Sequence, residues 1–108
     1  MIDWQTANEL KQAIGAEVFD EVVTVFFKET DSTLTRLMAA TTADAMKSEL
    51  HFMKGSALNL GFSDLAQICQ GLETRAEEGE TDLPLAQVQT VYYASREEFS
   101  LHRAEMIA

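Results

Sequence analysis

Residues 43–61 read ADAMKSELHFMKGSALNLG, and their apolar spacing is that of one long helix. Apolar positions recur at intervals of 4, 3, 4 and 3 residues, through Met46, Leu50, Met53, Ala57 and Leu60. Such a seam is typical of a helix in an antiparallel bundle. Gly61 follows the last apolar position and is the natural stop, and the stretch from Thr41 to Asp44 resembles a turn with an N-cap. The pattern therefore predicts a helix from about Ala43 to Leu60.

Helical spacing also dominates the rest of the chain, and no strand-like alternation persists. We predict a short helix from about Asp3 to Ile14, a long one from about Glu17 to Ala40, one capped by Ser63, and one capped by Asp82 with Pro84 in its first turn. The stripes expected to face the core are Ala7, Leu10 and Ile14; Val18, Val22, Val25, Phe26, Leu34, Leu37 and Met38; Leu65, Ile68, Cys69, Leu72 and Ala76; and Val88, Val91, Tyr92, Ser95, Phe99 and Met106.

The predicted fold class is all-α: an antiparallel up-down-up-down four-helix bundle with a short extra N-terminal helix. The chain has 108 residues, which fits a single domain spanning residues 1–108. We expect a monomer, because no long apolar face is left over once four helices pack. A start at Met1 and a chain that fills one bundle favour a stand-alone protein.

Charge and composition narrow the classes of function. The chain carries 18 Asp and Glu against 8 Lys and Arg, a formal net charge of -10. Phosphate backbones and acidic lipids would repel it, so we expect no nucleic-acid partner and no membrane partner. The single cysteine gives no sign of an oxidising compartment, and neither a secretory signal nor a spanning segment is visible. The predicted location is cytoplasmic.

One face of the helix over residues 43–60 carries an unusual set of side chains. On a helical wheel His51 falls away from the apolar seam and should face solvent, with Lys47 and Lys54 beside it. Gly55 lies one turn further on, where glycine costs about 1 kcal/mol relative to alanine. An outward-facing glycine is best explained by the close approach of a visiting partner. Residues 42–62 contain as many Lys as Asp and Glu, a locally neutral surface where an anion could rest.

Residues 51–61, HFMKGSALNLG, resemble the signature of histidine-containing phosphotransfer (HPt) domains, His-x-x-Lys-Gly-Ser-(Ser/Ala)-x-x-Leu-Gly. The similarity continues through Leu65, Cys69, Leu72 and Glu73, whereas Leu50 stands where the family often has alanine. In that family the histidine accepts a phosphoryl group from an aspartyl phosphate of one receiver domain and passes it to another. The resemblance thus implies a phosphorelay intermediate whose partners are response-regulator receiver domains and a hybrid histidine kinase.

The resemblance also implies roles for individual residues. His51 is the phosphorylated residue, at Nε2, and Lys54 offsets the charge of the transferred group. Gly55 leaves clearance for the receiver. The helical wheel, rather than the resemblance, adds Lys47 as a weaker, longer-range contribution. Glu73 occupies a family position that can orient the imidazole through Nδ1–H.

Docking on a receiver requires an apolar patch beside the histidine, for which Leu58, Ala13 and Ile14 are the candidates. The sequence has no Gly-rich phosphate loop, no nucleotide-binding motif and no acidic cluster suited to Mg²⁺. We therefore predict a phosphocarrier rather than an enzyme, with no cofactor or metal of its own, and with Mg²⁺ held by the partner receiver.

Two other classes of function stay open at this point. A non-catalytic helical adaptor that binds and blocks a receiver or histidine kinase would use the same fold and the same face. A metal-dependent bundle oxidase could use Glu98 and His102, but the Glu-x-x-His motifs of di-iron bundles are missing. Cys69 lies on an apolar stripe and is expected to be a buried structural thiol.

Overall fold

The computed structural model describes residues 1–105, which form five α-helices and a final 3₁₀ turn. The helices are α1 (Trp4–Ile14), α2 (Ala16–Ala39), α3 (Ala43–Leu60), α4 (Ser63–Glu77) and α5 (Leu85–His102), followed by the turn Arg103–Glu105. The all-α prediction is confirmed. None of the helices in this part of the chain is both long and apolar enough to cross a membrane.

Helix α3 has the bounds that its sequence predicts. The Thr42 side chain caps its start by accepting a hydrogen bond from the backbone N–H of Ala45 (3.1 Å). Gly61 ends it in the left-handed conformation, with φ of 90°. All five seam residues are buried, which confirms the predicted core face of this helix.

The N-terminal segment is attached to the corner between α3 and α4. Asp3 caps α1 as predicted, and its backbone N–H donates to the carbonyl of Gly61 (2.7 Å). Ser63 was expected to cap α4 but is instead its first helical residue, with a hydroxyl that donates to the carbonyl of Met1 (3.0 Å). The Ser63 hydroxyl does not cap the helix because the N-terminal segment lies against this corner and accepts its hydrogen bond. Ile2 of that segment is buried.

Helix α2 confirms only part of its predicted stripe: Phe26, Leu34 and Leu37 are buried as predicted, and Val22 is partly buried. Val18, Val25 and Met38 were expected in the core but are each about half exposed. The buried residues are Phe19, Val23, Phe26, Thr30, Thr33, Leu34 and Leu37. Two adjacent stripes of α2 are apolar, so periodicity alone could not choose between them. Threonines also belong to the buried stripe. The Thr33 hydroxyl can be buried because it donates a hydrogen bond to the Glu29 carbonyl (2.8 Å).

Helix α5 starts later than predicted. Asp82 does not cap it, and Pro84 is the residue before its first turn rather than within that turn. Leu83, in the connection between α4 and α5, is buried. The helix therefore begins after it, where the Gln87 N–H donates to the Pro84 carbonyl (3.0 Å). Of the predicted stripe, Val88, Tyr92, Ser95 and Phe99 are buried and Val91 is partly buried, whereas Met106 lies outside the described residues.

The core brings α3 and α4 side by side, with α2 and α5 packed around them and α1 against α2 and α3. An aromatic cluster links the elements through Phe26 and Phe62 (ring centroids 4.8 Å apart), Phe62 and Phe99 (5.4 Å) and Trp4 and Phe99 (5.3 Å). The close packing of α3 on α4 sets the position of His51 relative to the side chains of α4.

Candidate functional site

His51 lies on the outer surface of α3 with 69% of its side chain exposed, as the wheel predicts. Its Nδ1 is 2.8 Å from Oε2 of Glu73 on α4. Because an ionised carboxylate can only accept hydrogen bonds, this contact places the ring hydrogen on Nδ1. Nε2 then carries the lone pair, and no side chain within residues 1–105 makes a hydrogen bond to it. The nitrogen that is free to react therefore points away from Glu73.

Glu73 connects the imidazole to a second side chain of α3. It is nearly buried, and its Oε1 lies 2.7 Å from Nζ of Lys54. Burial raises the pKa of the Glu73 carboxyl, but the hydrogen bonds from Lys54 and His51 outweigh burial and hold the pKa below its ordinary value. The carboxylate is therefore ionised near neutral pH, with one oxygen on each partner.

The ammonium of Lys54 is directed towards α4 and only 19% of the side chain is exposed. Besides Glu73, it contacts Oε1 of Gln70, to which it donates a hydrogen bond of 3.1 Å. Gln70 was missed by sequence reasoning, although its position three residues before Glu73 places both on one face of α4. The Lys54 ammonium thus already contacts Glu73 and Gln70. Its predicted contact with a phosphoryl group stays a prediction.

An open depression of about 480 Å³ lies on one side of the imidazole. Its lining residues are Asp44, Lys47, Ser48, His51, Glu73 and Glu77. Nζ of Lys47 is 3.8 Å from Oε1 of Glu77, and both side chains are well exposed. Because α4 contributes Glu73 and Glu77, the surroundings of His51 are more acidic than the neutral segment 42–62 indicated. Sequence spacing could not reveal this, since the two carboxylates come from another helix.

Gly55 has no packing neighbour that requires a glycine. A Cβ added there would meet no atom within 4 Å. Leu58, three residues further along α3, is exposed. Of the other two predicted docking residues, Ala13 is exposed and Ile14 packs partly against the core at the end of α1. Contact of Leu58, Ala13 and Ile14 with a receiver stays a prediction.

Glu98 and His102, the residues of the alternative metal site, each contact another group. Glu98 accepts a hydrogen bond from the backbone N–H of Ile2 (3.0 Å), and His102 Nδ1 lies 3.1 Å from the Glu105 carboxylate. Within residues 1–105 no three His, Cys, Asp or Glu side chains are grouped to hold a metal ion. Cys69 is buried as predicted; burial, and then the charge of Glu73, raise the pKa of its thiol to about 12.

A comparison with protein-family models matches residues 21–105 to the Hpt domain. The match covers most of the chain, from the second turn of α2 to the end of the described residues. No curated protein and no solved structure gave a significant match. The chain belongs to the Hpt domain family, whose members act as histidine phosphocarriers in phosphorelays together with receiver domains and kinases.

Proposed function

We propose that this chain is a phosphorelay intermediate that takes a phosphoryl group from the aspartyl phosphate of one receiver domain and gives it to the aspartate of another. The observation that carries the proposal is the state of His51: Nδ1 is held by Glu73 at 2.8 Å, and 69% of the side chain is exposed. We include in the proposal a single domain and the up-down-up-down order of α2 to α5, supported by the short connections between them.

The transfer step needs no base from this chain. The Nε2 lone pair attacks phosphorus, the P–N bond forms, and the P–O bond breaks with its electron pair leaving on the aspartate of the receiver. The imidazole keeps its Nδ1 hydrogen and becomes positively charged. Glu73 stabilises that charge through the hydrogen bond it already makes to Nδ1. Reversal of the same step at a second receiver aspartate delivers the phosphoryl group.

The remaining requirements fall to the partner. Phosphoryl transfer needs charge neutralisation and in-line positioning, and we expect the receiver to hold the Mg²⁺ ion that supplies most of it. Gly55 leaves the surface beside His51 open for the active-site loops of the receiver. A hybrid histidine kinase as donor, a monomeric state and a cytoplasmic location stay predictions.

The test is transfer from a receiver domain phosphorylated with acetyl phosphate in the presence of Mg²⁺. We expect the wild-type chain to acquire an acid-labile, alkali-stable label, and His51→Gln to acquire none. His102→Gln is the matched control, because His102 is the other histidine of the sequence and is similarly exposed. Label on His51→Gln would disprove the proposal. Tight receiver binding without label on the wild-type chain would favour the blocking adaptor.

A further inference from the structure

A groove between α2 and α3, which begins at Phe52 beside the reactive histidine, contains two side chains of opposite charge that the fold does not use. We propose that these residues, Lys28 and Glu29 of α2, pair with an acidic and a basic side chain of the receiver and so select which receivers the chain accepts. This inference rests on the proposed function of His51 and names the residues that determine its partner.

Lys28 and Glu29 have no charged partner within residues 1–105. Six of the eight Lys and Arg form ion pairs with carboxylates there, namely Arg36, Lys47, Lys54, Arg75, Arg96 and Arg103. The side chains of Lys28 and Glu29 take part in no ion pair or hydrogen bond of this part of the chain, and both are exposed. Arg36 also lines the groove, but Glu49 holds its guanidinium at 3.1 Å. The groove therefore offers a visiting protein one free cation and one free anion.

The charges on the two flanks of His51 favour an approach over α2. The depression on the α4 flank has three carboxylates against one ammonium among its lining residues, those of Asp44, Glu73, Glu77 and Lys47. The groove on the α2 flank is balanced, because its two cations are matched by Glu29 and by the carboxylate paired with Arg36. The receiver brings an anionic aspartyl phosphate to His51, and a neutral surface repels it less than an acidic one does.

The groove is near enough to His51 to belong to the same interface. Phe52 lines it and follows His51 in α3, and the axes of packed helices such as α2 and α3 lie about 8–10 Å apart. An interface of standard size covers about 800 Å² of each partner, which is a disc of about 16 Å radius. A receiver that is centred on His51 and approaches over α2 therefore reaches the groove.

Neighbouring charges of opposite sign contribute more to the choice of partner than to affinity. Lys28 and Glu29 are consecutive in α2, so a receiver must present its acidic and basic side chains in the matching order. The reverse order would place like charges against each other, which suppresses the binding of wrong partners. Since the net charge of the two residues is zero, they leave the general attraction to charged surfaces unchanged.

The experiment exchanges the two charges in the full chain and measures kcat/KM for transfer from the receiver domain that labels the wild-type chain. Lys28→Glu/Glu29→Lys reverses the order and keeps both composition and net charge. The matched control is Lys28→Gln/Glu29→Gln, which removes both charges at the same two positions. We expect the reversed variant to lose at least tenfold in kcat/KM and the neutral variant about threefold. In about 1 M NaCl, where the Debye length is about 3 Å, the two variants should differ by less than about twofold.

Circular dichroism establishes that each variant is folded, and labelling by phosphoramidate, a small donor that needs no receiver, establishes that His51 still reacts at the wild-type rate. Equal losses in the reversed and neutral variants would overturn the inference, because the two charges would then meet no charged partner. A difference that persists in about 1 M NaCl would also overturn it, since the loss would then come from shape rather than charge. A wild-type chain that takes label from neither donor would instead contradict the proposed function itself.

Discussion

At the scale of single residues, Glu73 is the side chain that joins His51 and Lys54. Replacement by alanine removes the acceptor of the Nδ1 hydrogen and the partner of Lys54. We expect Glu73→Ala to slow phosphorylation of His51 about tenfold, the equivalent of about 1.4 kcal/mol, because the positive ring loses its hydrogen bond. Glu73→Gln keeps an acceptor without its charge and should lose less.

The position of the label separates this role from general destabilisation. We expect the hydrogen on Nδ1 to direct phosphorylation of the wild-type chain to Nε2, whereas the alanine variant has no such constraint. The ³¹P spectrum after phosphoramidate treatment should therefore show additional Nδ1 phosphohistidine in Glu73→Ala. Exclusive Nε2 labelling at an unchanged rate would contradict the assignment.

The lowered pKa of Glu73 also predicts how stability depends on pH. A carboxyl group whose pKa is lower in the folded than in the unfolded chain stabilises the fold above its ordinary value, here 4.5, and loses this effect as the pH falls through the lowered value. We expect wild type to exceed Glu73→Gln by about 1–2 kcal/mol near pH 7, and by progressively less below pH 4.5. Urea unfolding at several pH values measures the difference, and a difference that grows on acidification would contradict the predicted sign.

Gly55 is tested by filling the space beside the histidine. A Cβ there would meet nothing within 4 Å beyond the backbone of its own helix, so we expect Gly55→Leu to fold normally and gain slightly in helix propensity. We expect transfer from a phosphorylated receiver to fall at least tenfold, while labelling by phosphoramidate stays at the wild-type rate. Equal receiver transfer in the variant and wild type would show that the glycine is not there for clearance.

At the scale of elements, α3 and α2 show what the sequence could and could not predict. Helix α3 has a single apolar seam, a capping threonine and a terminal glycine, and these local signals agree on the same bounds. Helix α2 has two adjacent apolar stripes, and only packing against the other helices selects Phe19 and Val23 over Val18 and Val25. The valines on the outer stripe are apolar but exposed, and a helical wheel cannot distinguish them from buried apolar residues.

The corner between α3 and α4 gives a prediction at the same scale. Gly61 has a positive φ, and a Cβ there would collide with the backbone carbonyl of Asp3. Gly79 also has a positive φ but faces open space, so it is the matched control. We expect Gly79→Ala to cost about 1 kcal/mol of unfolding free energy from backbone strain, and Gly61→Ala about 2–4 kcal/mol because the N-terminal segment must move. Similar losses in the two variants, measured by urea unfolding, would argue against the contact.

At the scale of the whole molecule, the site is a product of packing between helices. The motif around His51 predicts the reactive residue from one helix and its terminal glycine. Gln70 and Glu77 belong to α4, and their positions near His51 depend on how α4 packs against α3. The spacing of residues within either helix does not predict that packing. Glu73 was predicted only through the resemblance, and the structure supplies the contact to Nδ1.

The distribution of exposed apolar side chains around the molecule gives the last prediction. Phe52 follows His51 on α3 and, with Val25 of α2, lines a groove of about 470 Å³ between the two helices. Both side chains are about half exposed. We expect a receiver that reaches His51 to cover them, and each removed apolar contact to weaken association by about 1 kcal/mol. We expect the double variant Val25→Ser/Phe52→Ser to lower kcat/KM for receiver transfer about 10- to 30-fold.

Phosphoramidate labelling of the same double variant should proceed at the wild-type rate, because the reacting nitrogen and Glu73 are untouched. The matched control is Tyr93→Ser/Leu101→Ser on α5. Tyr93 is about as exposed as Val25 and Phe52, and Leu101 is more exposed than either. If the control pair lowered receiver transfer as much as the groove pair, the loss would come from reduced surface hydrophobicity in general. A loss confined to the groove pair would place the receiver across α2 and α3, on the opposite flank of His51 from the acidic side chains of α4.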